Sequence, residues 1–290
     1  MPQQDLLHRF LFEELGVRGL WVSLSDSWQT AQTHQHCADE VQLQLGQALA
    51  AVVLLSATIK FKGSMILQAQ GQGPLKTLVA QATHDRKIRG LIRNSNTVTP
   101  GSLQDMFGEG RLVLTVTSEN AQPYQGIVSL QGDNLAAALE VYFTQSEQLS
   151  TRIWLFANET QATGLLVQEL PSQLSDKADW ERIVMLADTV TGQEMLELDC
   201  EELLHRLFHE ESVRLFDGEP VAFSCSCSRK KIENTLRLLG RPELESVLLE
   251  RGLIEVNCEF CNQYYRFDKI DVEHLLRGDT SLPNDTQIQH

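Results

Sequence analysis

Apolar positions along this chain change their spacing several times, and each change marks an element. Leu6, Leu7, Phe10, Leu11 and Leu15 recur at helical intervals and Gly16 follows as a stop, which predicts a helix over 5–15. Residues 20–24 then alternate like a strand. Residues 41–59 form a long, mostly apolar run that predicts a core helix. From 64 to 130 the period shortens to two, predicting strands over 65–70, 75–82, 88–93, 111–117 and 124–130. Gly and Pro turns separate them, as at Gly71-Gln-Gly-Pro74. Asn134 is placed to cap a helix over 135–144. Strands over 152–156 and 165–170 follow, and Pro171 ends the block. The fold class expected is α+β: a mixed α/β amino-terminal core domain over 1–172, a helical linker, and a small carboxyl-terminal zinc-binding domain.

The linker, 173–221, has a different character. Between Asp176 and Glu219 thirteen acidic residues face four basic ones, −9 of a net −15 for the chain. Ile183, Met185, Leu186, Leu196, Leu198, Leu203, Leu204, Leu207 and Phe208 nevertheless keep amphipathic helical spacing. Such helices fold by laying an apolar stripe on another surface while their charges repel, so they are marginal.

The carboxyl-terminal block runs over 222–277. Residues 222–228 read as a strand that puts Cys225 and Cys227 on one face. A helix over 231–239 ends at Gly240, and a second opens at Pro242 and closes at Gly252. Strands over 253–258 and 264–267 flank Cys258-Glu-Phe-Cys261. Residues 278–290 read as a flexible polar tail.

Composition adds boundaries. With 290 residues, 42% apolar and 22% charged, the chain can bury a real core. A net charge of −15 argues against attraction to nucleic acid or anionic lipid. There is no basic region leading into an apolar stretch at the amino end, and the apolar run 48–55 is too short to span a bilayer. The expectation is a cytoplasmic protein with no membrane partner, whose six cysteines hold metal or do redox work.

Cys225-Ser-Cys227 and Cys258-Glu-Phe-Cys261 are the candidate site. Four thiols in two tight pairs are a tetrahedral ligand set for one Zn²⁺ per chain in the reduced form. Metal-bound thiolates contribute roughly 10–16 kcal/mol of apparent binding free energy, and thiolates are also what oxidants attack. Oxidation between neighbours closes loops too small to replace the metal as a folding element. Oxidation across the pairs closes a loop of more than thirty residues, which keeps the block folded. Neighbour pairing is favoured, and both remain open. Arg229-Lys230-Lys231 with Tyr264, Tyr265 and Phe267 offers a nucleic-acid surface, but residues 222–269 hold eight basic against seven acidic side chains. His34-Gln-His36-Cys37 reads as a surface loop and Cys200 as a packed thiol. No P-loop, Gly-x-Ser-x-Gly or His-Glu-x-x-His occurs, so no catalytic residue is expected and the chain is not read as an enzyme.

The arm Cys225-x-Cys227 with Cys258-x-x-Cys261 resembles the bacterial heat-shock protein 33 family of redox-regulated holdase chaperones. The resemblance spans essentially the whole chain. It includes Pro123-Tyr-Gln-Gly-Ile-Val, Leu135-Ala-Ala-Ala-Leu-Glu, Gly164-Leu-Leu-Val-Gln and Cys258-Glu-Phe-Cys-Asn-Gln-Tyr-Tyr-Arg-Phe267. It implies an α/β core, a metastable linker, and zinc held by Cys225, Cys227, Cys258 and Cys261. It implies that stress oxidants release the zinc and form Cys225–Cys227 and Cys258–Cys261. Loss of zinc then removes the carboxyl-terminal platform on which the linker's apolar stripe is expected to pack, the linker unfolds, and a homodimer holds unfolding client proteins without ATP. The alternative is a constitutive structural zinc-ribbon protein, an adaptor or RNA partner, in which oxidation only inactivates. A dithiol oxidoreductase is a third, weaker reading.

Overall fold

The computed structural model describes residues 5–35, 37–95, 98–99, 101–119, 121–170 and 177–277. The proposed tail 278–290, His36, Pro171 and the start of the linker lie outside the described residues. The chain forms two compact units, 1–224 and 225–290.

In chain order the first unit contains β1 (Leu6–Phe12), β2 (Val17–Leu24), α1 (Asp26–Gln32), α2 (Asp39–Thr58), β3 (Gly63–Gly71), β4 (Leu75–Thr83), β5 (Lys87–Asn94), α3 (Leu103–Phe107), β6 (Gly110–Ser118), β7 (Ala121–Ser129), α4 (Leu135–Tyr142), a π turn (Phe143–Glu147), β8 (Thr151–Ala157) and β9 (Ala162–Glu169). It continues with α5 (Lys177–Ala187), α6 (Gly192–Glu197), α7 (Cys200–Phe208), β10 (Val213–Leu215), β11 (Glu219–Pro220) and β12 (Ala222–Phe223). The second unit contains α8 (Arg229–Leu239), α9 (Arg241–Arg251), β13 (Ile254–Asn257), β14 (Tyr264–Phe267) and α10 (Lys269–Arg277).

One sheet runs β10-β1-β2-β9-β8, with β11 also on β1; the other runs β12-β5-β4-β3-β6-β7. Helix α2 lies between them, packed on β4, β5 and β3 of one sheet and β9, β8 and β2 of the other. Leu45, Leu49, Val52, Val53 and Leu54 are all fully buried, which explains a run apolar on every side. By length and composition this helix is apolar enough to cross a membrane; here it is the central element of a two-sheet core. Asn134 caps α4 as expected, its side chain accepting from the Ala137 amide at 3.0 Å.

The helix expected over 5–15 is strand β1. Leu7 faces the central core, whereas Phe10 and Phe12 face a second cluster on the other side of the sheet. A strand buried on both faces carries apolar residues at both parities, and their spacing imitates a helix. The second cluster also contains Val17, Trp21, Leu165 and Val167 beneath Ile183, Met195, Leu203 and Phe208 of α5–α7. The acidic helices therefore lie on the first sheet, so the expected platform in the carboxyl-terminal block is corrected to β1, β2 and β9. The segment then threads through both sheets, since β10 and β11 pair antiparallel with β1 and β12 pairs parallel with β5.

Candidate metal centre

Two chain segments build the site. The strand expected over 222–228 stops at Phe223, so Cys225 and Cys227 sit in an irregular stretch before α8. Ser228 ends that stretch as the α8 N-cap, accepting from the Lys231 amide at 3.3 Å. The second pair is set by the β13–β14 hairpin, whose last register pair is Asn257 with Tyr264. Between them the Cys258 carbonyl accepts from the Asn262 amide at 2.7 Å and the Cys261 amide at 3.3 Å. Asn262 takes the left-handed conformation (φ 51°) that reverses the chain, a role Asn tolerates well. Backbone geometry, rather than a strand face, thus aims all four thiols inward.

The four Sγ atoms lie within 4.8 Å of one another, the only such cluster of metal-capable side chains among the described residues. Cys225 and Cys258 Sγ are 3.6 Å apart, and Cys227 and Cys261 Sγ 3.4 Å. A tetrahedral centre with bonds of about 2.3 Å has sulfur–sulfur edges of about 3.8 Å, so the set fits a zinc-sized ion. Closeness of every sulfur to every other favours neither disulfide pairing.

Burial pushes the Cys258 and Cys261 thiols up. Burial acts the same way on Cys225, but the Cys227 backbone amide and the neighbouring thiols outweigh it and lower Cys225 to about 7. Cys37 and Cys200 are different: burial, reinforced by adjacent acids, raises Cys37 to about 11 and Cys200 further still. They are poor thiolates at neutral pH, as packed cysteines should be. The His34 ring is tilted against the Phe223 ring, with centroids 5.8 Å apart, and His34 is not a member of the four-thiol cluster.

Three contacts around the sulfurs had no sequence expectation. The Tyr265 hydroxyl donates to Cys227 Sγ at 3.2 Å, and this bond, with some burial, raises the phenol to about 12. Lys231 Nζ donates to the Ser226 carbonyl at 2.6 Å. Arg229 lies 4.3 Å over the Phe267 ring and pairs with Asp271 at 2.8 Å and Glu233 at 3.3 Å. Alternation along β14 was the available clue: Phe267 is buried, which puts Tyr265, two residues back, on the same face. Among the described residues the buried apolar cluster of the second unit is Leu236, Leu244, Ile254, Phe267, Val272 and Leu275.

Fold and site together define a class: a two-sheet α+β body with an acidic helical layer, followed by a small unit organised around four thiols. A family model described as "Hsp33 protein" matches residues 5–268. A 33 kDa chaperonin of Nitrosococcus oceani is 59% identical over 283 residues, covering 98% of both chains. Another, of Methylobacillus flagellatus, is 44% identical over 295 residues and the full length of both. The crystal structure of the 33 kDa chaperonin (heat-shock protein 33 homologue) from Thermotoga maritima matches in fold. Its TM-score is 0.83 at 24% identity, over 95% of this chain and 99% of that one. The chain belongs to the heat-shock protein 33 family, a family of chaperones.

Proposed function

We propose that this chain is a redox-regulated, ATP-independent holdase whose switch is Cys225, Cys227, Cys258 and Cys261. The observation that carries the reading is a four-thiol cluster on a unit whose buried apolar cluster, among the described residues, is six side chains. A core that small does not hold a fold without a staple. Bound zinc would supply that staple and keep the four sulfurs as thiolates.

Cys225, Cys227, Cys258 and Cys261 are then both ligands and reductants. Each neighbouring pair gives two electrons to one peroxide. One thiolate is oxidised to the sulfenic acid, and its neighbour displaces the hydroxide to close the disulfide. Two peroxides and four protons thus yield Cys225–Cys227, Cys258–Cys261 and four waters, and no ligand set remains. The second unit loses its staple, and the tether from Cys225 to β12 is one residue, Ser224. The proposed linker, 173–221, is the next element to yield. It is marginal because its basic residues are already spent: Arg182 on Asp179 and Glu211, Arg206 on Glu194, Arg214 on Glu13, Lys177 on Glu181. The remaining acids repel one another.

Release of α5–α7 would expose Phe10, Phe12, Val17, Trp21, Leu165 and Val167, an apolar face that unfolding clients can use. We assign the oxidised form a homodimeric state and the working compartment to the reducing cytoplasm. Nucleic acid is a poor partner because Arg229 and Lys231 are committed within the unit and the chain carries −15.

The test is light scattering of a heat-unfolding model protein, with this chain zinc-loaded and reduced or peroxide-treated at mild heat. Suppression by the oxidised form alone supports the switch. Equal suppression by both forms, or by neither, overturns it in favour of a structural zinc site.

A further inference from the structure

The first unit contains a cavity of about 500 Å³ that the proposed switch does not use. That volume is within the range of small-molecule sites, about 300–1,000 Å³. Its inner wall is apolar and buried: Leu55, Met65, Leu114 and Phe143. Exposed Ile59 and Tyr124 stand at its rim.

Two features show that this cavity is built rather than left over. The first is its backbone wall. The chain leaves α4 through a π turn, Phe143–Glu147, and closes it at Gln148 in the left-handed conformation (φ 54°). Both are uncommon, and π turns concentrate at functional sites. The extra residue in the turn directs Phe143, Ser146 and Glu147 to the cavity. Glu147 Oε1 there accepts from Tyr142 at 2.7 Å and Tyr124 at 3.0 Å, so its carboxylate is held by two hydroxyls.

The second feature is Arg18. Its guanidinium is half-buried at the cavity and donates, through Nε at 3.1 Å and Nη2, to the amide oxygen of fully buried Gln168. Gln168 is fixed in turn by donating to Thr151 Oγ1 at 2.7 Å. No carboxylate pairs with Arg18 among the described residues. A half-buried cation bound only to a neutral acceptor lacks a counter-anion, and the N–H groups left over from Gln168, on Nη1 and the outer side of Nη2, suit a carboxylate.

We propose that this cavity binds an amphipathic monocarboxylate, with its headgroup on Arg18 and its aliphatic tail along Met65, Leu114 and Phe143. The anion belongs on Arg18, the one cation in the wall, while the Glu147 carboxylate, already satisfied by two hydroxyl donors, repels a second carboxylate. The ligand is free in solution: the deep residues are buried, so a headgroup held in a bilayer surface does not reach them.

The probe is decanoate, titrated into the full-length, reduced, zinc-loaded chain by calorimetry and by ¹³C-methyl NMR of the methionines. One-site binding is expected, with the Met65 methyl moving while Met106, Met185 and Met195 stay. Arg18→Gln weakens binding at least tenfold, and so do replacing decanoate by decanol and filling the cavity by Leu114→Trp. The Met65 readout in the unaltered chain stands even if a variant fails to fold. The proposal is overturned by an unmoved Met65 methyl, by unchanged affinity in folded Arg18→Gln, by decyltrimethylammonium binding as well as decanoate, or by phosphatidylglycerol vesicles acting where decanoate does not.

Discussion

Truncating Phe208 to alanine would separate the linker from the switch. Phe208 closes α7 and is 2% exposed. Its ring meets Phe12 edge-on, with centroids 5.0 Å apart, and lies 6.3 Å from Phe10. These partners are on β1, in the cluster beneath α5–α7, and not in the core around α2. Removing a buried phenylalanine costs about 3–5 kcal/mol, and every 1.4 kcal/mol is tenfold. Local opening of the acidic helices should therefore rise by roughly two to three and a half powers of ten. On the proposed marginal stability of that layer, the increase is enough to populate the open state in reduced protein. The assay pairs limited trypsin digestion with light scattering, both on reduced, zinc-loaded chain. Cleavage after Arg182 and Arg206 should rise with the open population, aggregation of a heat-unfolding client should be suppressed without oxidant, and zinc content should stay at one per chain. Leu203→Ala, on the same buried face, should behave alike with a smaller effect. The reasoning is refuted in either of two ways. Unchanged cleavage means that packing on β1 does not hold the helices. An open linker without holding activity means that the face beneath it is not where clients bind.

Three further outcomes can be checked independently. Burial alone would raise the Glu219 carboxyl, but hydrogen bonds from Arg9 (2.7 Å) and Arg86 (3.0 Å) overcome it and hold the group below its ordinary carboxylate value. A carboxylate depressed in the folded state contributes stability above its unfolded value and loses it as pH falls through the folded one. Glu219→Gln should therefore lower the melting temperature at neutral pH, the gap closing on acidification; calorimetry showing a constant gap would contradict this. Tyr265→Phe removes the hydroxyl donated to Cys227 Sγ and should speed peroxide-driven zinc release several-fold, followed with a chromophoric chelator. An unchanged time course would reduce Tyr265 to packing. Stripping the metal with a strong chelator under reducing conditions should give fast amide exchange across α8–α10 while α2 stays protected, because the buried apolar cluster described for the second unit has six side chains. Retained protection in α8–α10 would mean that the unit folds without metal.

Some of this was open to a reader of the sequence because the chemistry is local. Two cysteine pairs with short spacing announce a ligand set wherever the chain places them. The run around Leu49 reads as a core helix because every side of it is buried. What depended on distant partners was not legible. Helix α1 buries only Ser27, Trp28 and Ala31, too little for a period. The π turn has no residue signature, and Tyr265 becomes a sulfur ligand's partner only once β13 and β14 pair. The misread of β1 is the most informative. Leu7 points to the central core and Phe10 and Phe12 to the other face, so the strand looks helical because something covers both of its sides. That cover is the most acidic part of the chain, held by few cations and joined through β12 and Ser224 to Cys225. A strand designed for permanent solvent on one face would alternate apolar with polar residues there. Phe10, Phe12, Val17 and Trp21 instead form a continuous apolar surface under a layer whose own charges favour leaving. This is the arrangement the proposed holdase switch needs: a binding face stored until the layer above it lifts.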